Sequence, residues 1–283
     1  MRSIIMALLL LGLVGTANAA SDTLKRIKDK GEIRIGYRQA MEPFSFESQE
    51  GQAVGYSIDL CKRVATAVQT DLGLKELKTT YVPVTISDRF DAIASGKIDI
   101  LCAASTITLG RMEQVDFSVM TFVTGGGIMS RTSGPIGNAS ELAGKTVAVV
   151  AGSTSETAFA TFLKDNFIEA KVVKADSLEA AKQKLEAGEV DAVAGDQIAL
   201  IGQMVASGDP RAYTLAEDLY SYEPYGLAMA RGDAEFALVV NRALERTYRT
   251  GQFKGIYDQW FGRIGLRPTP VLQAMFAIFS FPE

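Results

Sequence analysis

The stretch IASGKIDI at residues 93–100 is repeated in plan by LEAGEVDA at residues 185–192. Each stretch has the pattern of a helix end, a glycine that caps the helix and a short buried strand. Two further stretches, GEIRIG at residues 31–36 and GKTVAV at residues 144–149, each begin a strand that precedes a loop and a helix. These paired patterns predict two similar α/β lobes.

The periodicity of apolar residues extends this plan along the chain. It predicts helices at residues 57–70, 86–95, 155–165, 177–187, 233–250 and 252–261, and strands near 32–37, 77–84, 98–104, 145–150, 171–174 and 190–195. Strands that alternate with helices at this spacing indicate mostly parallel sheets with both faces covered. The glycine-rich segment 124–127 interrupts the pattern, and a second crossover near 223–226 returns the final helices to the first lobe. Because ligands of open α/β sheets bind beyond the carboxyl ends of the strands, we expect the site in the cleft between the lobes.

The composition excludes several classes of function. The chain has 283 residues, a formal charge of −4 (29 − 33), no histidine and two cysteines. It therefore has no Ser/His/Asp or Cys/His triad, no zinc site that uses histidine and no all-thiolate zinc site. Neither residues 125–127 nor residues 143–146 have the glycine spacing of a dinucleotide- or phosphate-binding loop. Together with the mild acidity of mixed charges, this predicts no metal, no cofactor and no nucleic-acid partner.

The amino terminus has the pattern of a secretory signal. Met1 and Arg2 are followed by an apolar run from Ile4 to Val14 and by Ala17-Asn18-Ala19. A membrane anchor is the alternative, but the run is shorter than the roughly 20 apolar residues that span a bilayer. We predict that residues 1–19 are a signal peptide and that the mature protein is exported to the periplasm.

Export bears on the two cysteines. Cys61 falls on the apolar face of a predicted helix, and Cys102 falls in a strand-like run. An oxidising compartment favours a disulfide between them, and a helix packed on its own sheet would bring them together. The sequence alone leaves two alternatives, a structural disulfide or two buried free thiols.

Three arginines follow predicted strands and mark the edge where a ligand would lie. Arg111 comes shortly after the strand that ends near Thr106, and Arg38 and Arg89 occupy comparable loop positions. An arginine there can bind a carboxylate through two parallel hydrogen bonds. Any one of them alone is more typical of a solvated surface residue. The three together indicate an anionic ligand.

Two features of the second half face the same predicted cleft. Residues 152–155, Gly-Ser-Thr-Ser, open a helix after a strand, so their free amides can receive a carboxylate. An ordinary N-cap by Ser153 or Thr154 is compatible with this role. Asp196 follows a buried strand, where it can face an ammonium group or cap the helix that begins at Gln197.

The ordered motifs of the chain resemble the polar amino-acid-binding proteins of ABC importers, the bacterial extracellular solute-binding proteins of family 3. The motifs are EPFSF at 42–46, GYSIDL at 55–60, SGKID at 95–99, TITLGR at 106–111, VDFS at 115–118, LAGKTV at 142–147, GSTS at 152–155, AGEVDA at 187–192, YGL at 225–227 and the segment 251–262. Tyr37-Arg38, the segment 83–89 and the strand that carries Cys102 are similar to the glutamate/aspartate-binding branch.

The resemblance implies an α/β, two-lobed periplasmic-binding-protein fold of type II. Each lobe would be a mostly parallel sheet covered by helices, with the ligand cleft between the lobes. Residues 20–123 and 226–283 would form lobe 1, and residues 124–225 would form lobe 2. Such proteins close around their ligand by a hinge motion and deliver it to membrane permease subunits. We expect a monomer.

The same resemblance implies roles for the groups that bind an amino acid's α-carbon substituents. Arg111 would bind the α-carboxylate, helped by the backbone amide of Thr154 across the cleft. Thr106, the carbonyl of Ala104 and Asp196 would hold the α-ammonium. Each charge of a buried amino acid needs such a partner to offset its desolvation.

Arg38 and Arg89 would receive the carboxylate of the ligand's side chain. Met41 and Ile86 stand at positions where many relatives stack aromatic rings, which suits a charged side chain better than a flat one. The chain departs from the acidic-amino-acid branch in reading Thr-Ile-Thr-Leu at residues 106–109 instead of Thr-Thr-Asn-Asn, and in lacking the second-lobe histidine. The resemblance implies glutamate or aspartate as the first expected ligand, and these two departures make glutamine, asparagine or another small carboxylated solute the alternatives.

An enzyme on the same fold is the alternative function. Periplasmic cyclohexadienyl or arogenate dehydratases use this fold, and the three arginines would also hold a dicarboxylate. The predicted second-lobe cleft segments offer Asp196 as their obvious acid, and the resemblance assigns it to ammonium binding. We therefore expect a binding protein and no enzyme.

Overall fold

The computed structural model describes residues 22–282, so the predicted signal peptide at residues 1–19 lies outside the described residues. The helices are α1 (Thr23–Lys30), α2 (Tyr56–Asp71), α3 (Arg89–Ala94), α4 (Leu109–Met112), α5 (Thr154–Asp165), α6 (Leu178–Glu186), α7 (Gln197–Ala206), α8 (Ala234–Arg249), α9 (Gln252–Trp260) and α10 (Pro270–Ile278). The strands are β1 (Glu32–Tyr37), β2 (Ala40–Met41), β3 (Ser45–Glu47), β4 (Ala53–Val54), β5 (Lys78–Pro83), β6 (Ile100–Thr106), β7 (Val115–Phe117), β8 (Phe122–Thr124), β9 (Gly126–Arg131), β10 (Thr146–Val150), β11 (Lys171–Ala175), β12 (Ala192–Asp196), β13 (Tyr213–Leu215) and β14 (Glu223–Ala230).

Every helix and strand predicted from apolar periodicity has a counterpart in the structure. The largest difference is at α3, which begins at Arg89 rather than at residue 86. The residues before it form a turn, in which the Thr85 amide donates to the Asp88 carboxylate over 2.7 Å and the Asp88 amide donates to the Thr85 hydroxyl over 3.2 Å. This local pairing replaces the first turn of the predicted helix.

The first large sheet has the strand order β5-β1-β6-β14-β7, with β8 also paired to β14. Strands β5, β1 and β6 are parallel, whereas β14 is antiparallel to β6, β7 and β8. Among the strands described for this sheet, β14 alone therefore runs in the reverse direction. Helix α2 packs on β6 and α8, and it buries the apolar face that the sequence predicted.

The second large sheet has the order β11-β10-β12-β9-β13. Here β9 is the reversed strand of those described, since it is antiparallel to both β12 and β13. The chain leaves the first sheet after β8 and returns to it with β14. The first crossover therefore lies within the glycine-rich segment 124–127, whereas the second lies between β13 and β14, before the predicted residues 223–226. The mostly parallel character of both sheets is confirmed, and the exact lobe boundaries at residues 123/124 and 225/226 stay a prediction.

Cys61 and Cys102 form a disulfide with a Cα–Cα distance of 6.3 Å. Cys61 lies in α2 and Cys102 in β6, and both are fully buried. Of the two alternatives that the sequence left open, the structure has the disulfide. It joins the helix to the strand that leads into the predicted ligand site.

Aromatic rings fill the core of the first lobe beside the crossovers. Phe44 packs against Tyr56, Phe122, Tyr225 and Phe261 at ring-centroid distances of 5.0–5.9 Å. Such pairs contribute about 0.5–1.5 kcal/mol each beyond the burial of their area. Since Phe122 lies in β8 and Tyr225 in β14, this cluster anchors both crossover strands in the first lobe. Within residues 22–282, no helix is both long enough and apolar enough to cross a membrane.

Candidate functional site

A cavity lies between the two large sheets, at the carboxyl ends of their parallel strands. It is lined by every ligand-binding residue that the sequence predicts, namely Arg38, Arg89, Ala104, Thr106, Arg111, Thr154 and Asp196. Met41 and Ile86 also line it. Side chains from strand ends far apart in sequence therefore converge on one site, as the open α/β architecture requires.

The three arginines form a cationic side of the cavity. Arg89 is only 6% exposed, and Arg38 and Arg111 are half-buried. Among the residues that the structure describes, no carboxylate oxygen lies within 4.0 Å of their guanidinium nitrogens. Buried charges are normally paired, so this side of the cavity is electrostatically suited to an anion.

The pKa values of these arginines also reflect the burial and the mutual repulsion of their positive charges. Burial, followed by repulsion from Arg111 and Arg38, lowers the pKa of Arg89 to about 9. Burial also lowers the pKa of Arg38 and of Arg111, although carboxylates nearby partly oppose it at Arg111. An anion placed among the three guanidinium groups would reverse these shifts, because it stabilises their charged forms.

Local contacts hold the arginines in place. The guanidinium of Arg89 donates to the carbonyl of Ile86, and it stacks over the ring of Phe90 at 4.5 Å from the ring centroid. The guanidinium of Arg111 donates to the carbonyl of Thr106 over 2.8 Å. These contacts restrict the rotamers of both side chains while leaving donor groups free for a planar acceptor.

Three carboxyl groups lie in or beside the cavity. Asp196 and Glu42 line it, and burial raises the pKa of Glu42, whereas Glu223 binds the lining residues Thr106 and Thr154. Glu223 is 2% exposed and accepts hydrogen bonds on both oxygens. Its Oε2 accepts from the hydroxyls of Thr106 over 2.7 Å and Thr154 over 2.9 Å. Its Oε1 accepts from the hydroxyl of Ser221 over 2.7 Å. From the sequence, residue 223 was predicted only as part of a crossover. Its acidic side chain was the one feature of the sequence that could have indicated a role at the cavity.

Asp196 lies at the end of β12 and also accepts on both oxygens. Its Oδ1 accepts from the Ser155 hydroxyl over 2.8 Å, and its Oδ2 accepts from the Tyr225 hydroxyl. It makes no capping hydrogen bond to α7, so of the two roles considered for it the structure favours a place in the cleft. Burial, followed by the negative charge of Glu223, raises the pKa of Asp196 to about 6.

The backbone at the cavity also has free hydrogen-bonding capacity. Ser153 caps α5 by accepting from the amide of Glu156 over 3.1 Å, as the N-cap prediction stated. The amide of Thr154, in the first turn of that helix, has no intrahelical acceptor and is available to a ligand. Across the cleft, Ala104 lies where the pairing between β6 and β14 shifts register, and such bulges leave backbone groups unpaired beside sites.

The two lobes are in contact around the cavity. The hydroxyls of Thr106 and Thr154, which belong to opposite lobes, are 3.2 Å apart. Farther along the cleft, the backbone carbonyl of Glu42 approaches Gly202 of α7 so closely that a Cβ built on the glycine would lie 2.6 Å from the carbonyl oxygen. The structure therefore has the cleft closed.

Comparisons with known proteins match this architecture. Residues 33–263 match the family described as bacterial extracellular solute-binding proteins, family 3. The L-glutamate/L-aspartate-binding protein of Pseudomonas aeruginosa is 36% identical over 246 residues, which cover 87% of this chain and 82% of that protein.

Two solved structures give the same architecture. An ancestral arginine-binding protein bound to arginine has a TM-score of 0.72 and 34% identity, and the match covers 82% of this chain and 98% of that one. The ancestral amino acid-binding protein AncCDT-1, a precursor of cyclohexadienyl dehydratase, has a TM-score of 0.72 and 30% identity over 84% of this chain and 99% of that one. The two-lobed periplasmic-binding-protein fold predicted from the sequence is confirmed.

Proposed function

We propose that this chain, which belongs to the bacterial extracellular solute-binding proteins of family 3, binds an acidic amino acid and delivers it to an ABC importer. The observation that carries the proposal is the charge pattern of the cavity. Three guanidinium groups line it with no carboxylate within 4.0 Å among the described residues, together with the carboxylate of Asp196. The relative from P. aeruginosa is named for glutamate and aspartate binding, which agrees with that pattern.

The unpaired arginines favour glutamate or aspartate over their amides. Arg38, Arg89 and Arg111 all line the cavity, and in the described part of the chain no carboxylate lies within 4.0 Å of their guanidinium nitrogens. Glutamate and aspartate each carry two carboxylates and one ammonium, a net charge of about −1. Either ligand offers one carboxylate to Arg111 and a second one to Arg38 and Arg89, whereas glutamine or asparagine offers only one.

The proposed roles of the lining residues follow from whether each one donates or accepts hydrogen bonds. Arg111 and the amide of Thr154 bind the α-carboxylate, and the carbonyl of Ala104 with Thr106 and Asp196 binds the α-ammonium. This assignment uses the unpaired amide at the start of α5 and the acceptors around Asp196.

Arg38 and Arg89 bind the carboxylate of the ligand's side chain. This role is supported by the absence of any carboxylate within 4.0 Å of either guanidinium group in the described part of the chain. Burial, followed by repulsion from Arg111 and Arg38, lowers the pKa of Arg89 to about 9, and a ligand carboxylate beside it would stabilise its charged form.

Binding would close the cleft, because the proposed ligand contacts come from both lobes. Residues 20–123 with 226–283 would move against residues 124–225 about the two crossovers. We further propose that the exported protein acts as a monomer in the periplasm and that permease subunits bind the closed form.

A cyclohexadienyl or arogenate dehydratase remains the alternative on this fold. The structural match to AncCDT-1, a precursor of such an enzyme, bears on both functions because that protein is itself an amino acid-binding protein. Dehydration needs an acid that protonates the departing hydroxyl. Asp196 accepts hydrogen bonds on both oxygens, as a carboxylate does, which favours ammonium binding over proton donation by this residue. Glu42 also lines the cavity and burial raises its pKa, so it is the acid that the enzyme alternative would use.

Isothermal titration calorimetry tests the proposal. The mature protein, refolded to remove ligand carried through purification, is titrated with each of the twenty amino acids and with prephenate. Tight binding confined to glutamate and aspartate is the expected result. Binding of other amino acids alone would refute the side-chain pocket, and binding or turnover of prephenate without amino-acid binding would refute the transport function.

A further inference from the structure

Glu223 is buried at the point where both lobes and a crossover segment meet. It accepts from Thr106 of the first lobe, from Thr154 of the second lobe and from Ser221, which lies two residues before β14 begins. The Ser221 hydroxyl in turn accepts from the amide of Gly126 at the start of β9 over 3.1 Å. One carboxylate therefore connects the two walls of the cavity with the two crossovers.

The bonds to Glu223 fix the direction of two hydroxyl groups that line the cavity. A threonine hydroxyl has one proton to donate and lone pairs that accept. The carboxylate is a stronger acceptor than a second hydroxyl, so the protons of Thr106 and Thr154 point to Glu223 rather than to each other. The two hydroxyl oxygens are 3.2 Å apart, and their lone pairs remain available to accept hydrogen bonds from the ligand.

This side of the cavity therefore presents acceptors backed by negative charge. Asp196 adds a further acceptor there, with its own two donors, Ser155 and Tyr225, both directed to it. A group that satisfies such a surface donates several hydrogen bonds and carries a positive charge. An ammonium does both, whereas a hydroxyl or a carbonyl on a ligand does not.

We infer that Glu223 is a positioning residue that sets the Thr106 and Thr154 hydroxyls as acceptors, and so selects ligands with an α-ammonium over the same diacids without it. The inference deepens the proposed function and rests on it. It concerns how the α-ammonium half of the ligand is chosen.

Glu223→Gln tests the inference because it removes the charge and keeps the shape. The substitution removes one negative charge beside the cavity, which favours a diacid without an ammonium relative to glutamate. If the amide oxygen faces the threonines, the variant loses only the charge, and if the amide nitrogen faces them, it loses the hydroxyl orientation as well. Both outcomes weaken ammonium binding.

The measurement compares the affinities of glutamate and glutarate, its deaminated analogue, by titration calorimetry. In Glu223→Gln, glutamate affinity should fall about 10- to 100-fold while glutarate affinity stays constant or rises. Ser221→Ala is the matched control, because it removes one bond to Glu223 but leaves the charge and both threonine bonds. Its ratio of glutamate to glutarate affinity should equal that of the wild type.

A merely structural Glu223 would give a different result. Equal losses for both ligands in Glu223→Gln would overturn the inference and leave the proposed function standing. If this variant does not fold, Thr154→Val makes the same test, since it removes one hydroxyl acceptor and keeps the backbone amide. An unchanged ratio there would also overturn the inference, and a wild type that binds no α-amino acid would overturn the proposed function together with it.

Discussion

Gly202→Ala should weaken ligand binding without destabilising the fold, because the glycine lies at a contact between the lobes. Gly202 is inside α7 of the second lobe, and Glu42 of the first lobe lies against it in the closed cleft. An added Cβ would lie 2.6 Å from the Glu42 carbonyl oxygen and 3.1 Å from its carbon, both of them backbone atoms. The lobes must then separate by about 0.8 Å to reach an ordinary contact of 3.4 Å.

The cost of this contact appears only when the cleft closes. Overpacking of this kind costs about 1–3 kcal/mol, which corresponds to a loss of ligand affinity of about 5- to 150-fold. The open protein has no such clash, and alanine in a helix interior is favoured over glycine by about 0.5–1 kcal/mol. The variant should therefore be slightly more stable than the wild type without ligand and should bind ligand more weakly.

Calorimetry with the amino acid that the wild type binds gives the affinity, and thermal unfolding without ligand gives the stability. Gly255→Ala is the matched control, since Gly255 lies in α9 and an added Cβ would meet nothing within 4 Å. It should gain the same helix stability with unchanged affinity. Wild-type affinity in Gly202→Ala would refute the closed-cleft reasoning, and lower stability without ligand would show that the glycine acts within its own lobe.

Three other predictions concern the charged groups of the cavity. Arg111→Ala should abolish binding of every amino acid, because the buried α-carboxylate would have no cationic partner at that position. Micromolar affinity in calorimetry would refute the role of Arg111 in binding the α-carboxylate. Arg89→Gln, like Arg38→Gln, should weaken glutamate more than glutamine, and equal losses for the two ligands would show that these arginines are ordinary cleft residues. Burial and the charge of Glu223 raise the pKa of Asp196 to about 6, and binding the ammonium favours the ionised form of this residue. Glutamate affinity should therefore fall as pH decreases below about 6, by at most about tenfold per pH unit. Asp196→Asn should bind more weakly and lose this pH dependence, so a pH profile equal to that of the wild type would assign the titration to another group.

The parts of the fold that could be predicted are those encoded by local patterns. The glycine-capped repeats at residues 93–100 and 185–192 predicted where two buried strands lie. The cleft was then predicted at the carboxyl ends of such strands. The reversed strand β14 could not be predicted in this way, because its segment reads EPYGLAMA, with a proline and a glycine that indicate a crossover. Its direction depends on pairing with β6, which lies more than 100 residues away.

The same distinction applies to the site. Arg38, Thr106 and Asp196 stand at strand ends and were predicted from that position. Glu223 was missed because its role depends on hydroxyls that only the folded chain brings to it, from residues 117 and 69 positions away. Gly202 was missed because an isolated glycine in a helical pattern has no local sign of a contact with the other lobe.

A crystal structure of the protein with L-glutamate tests the central claim most directly. We predict that the ligand lies in the cavity with its α-carboxylate on Arg111 and the Thr154 amide, its ammonium between Thr106 and Asp196, and its side-chain carboxylate on Arg38 and Arg89. A ligand in the reverse orientation, with its ammonium among the arginines, or a ligand bound outside this cavity would contradict the account.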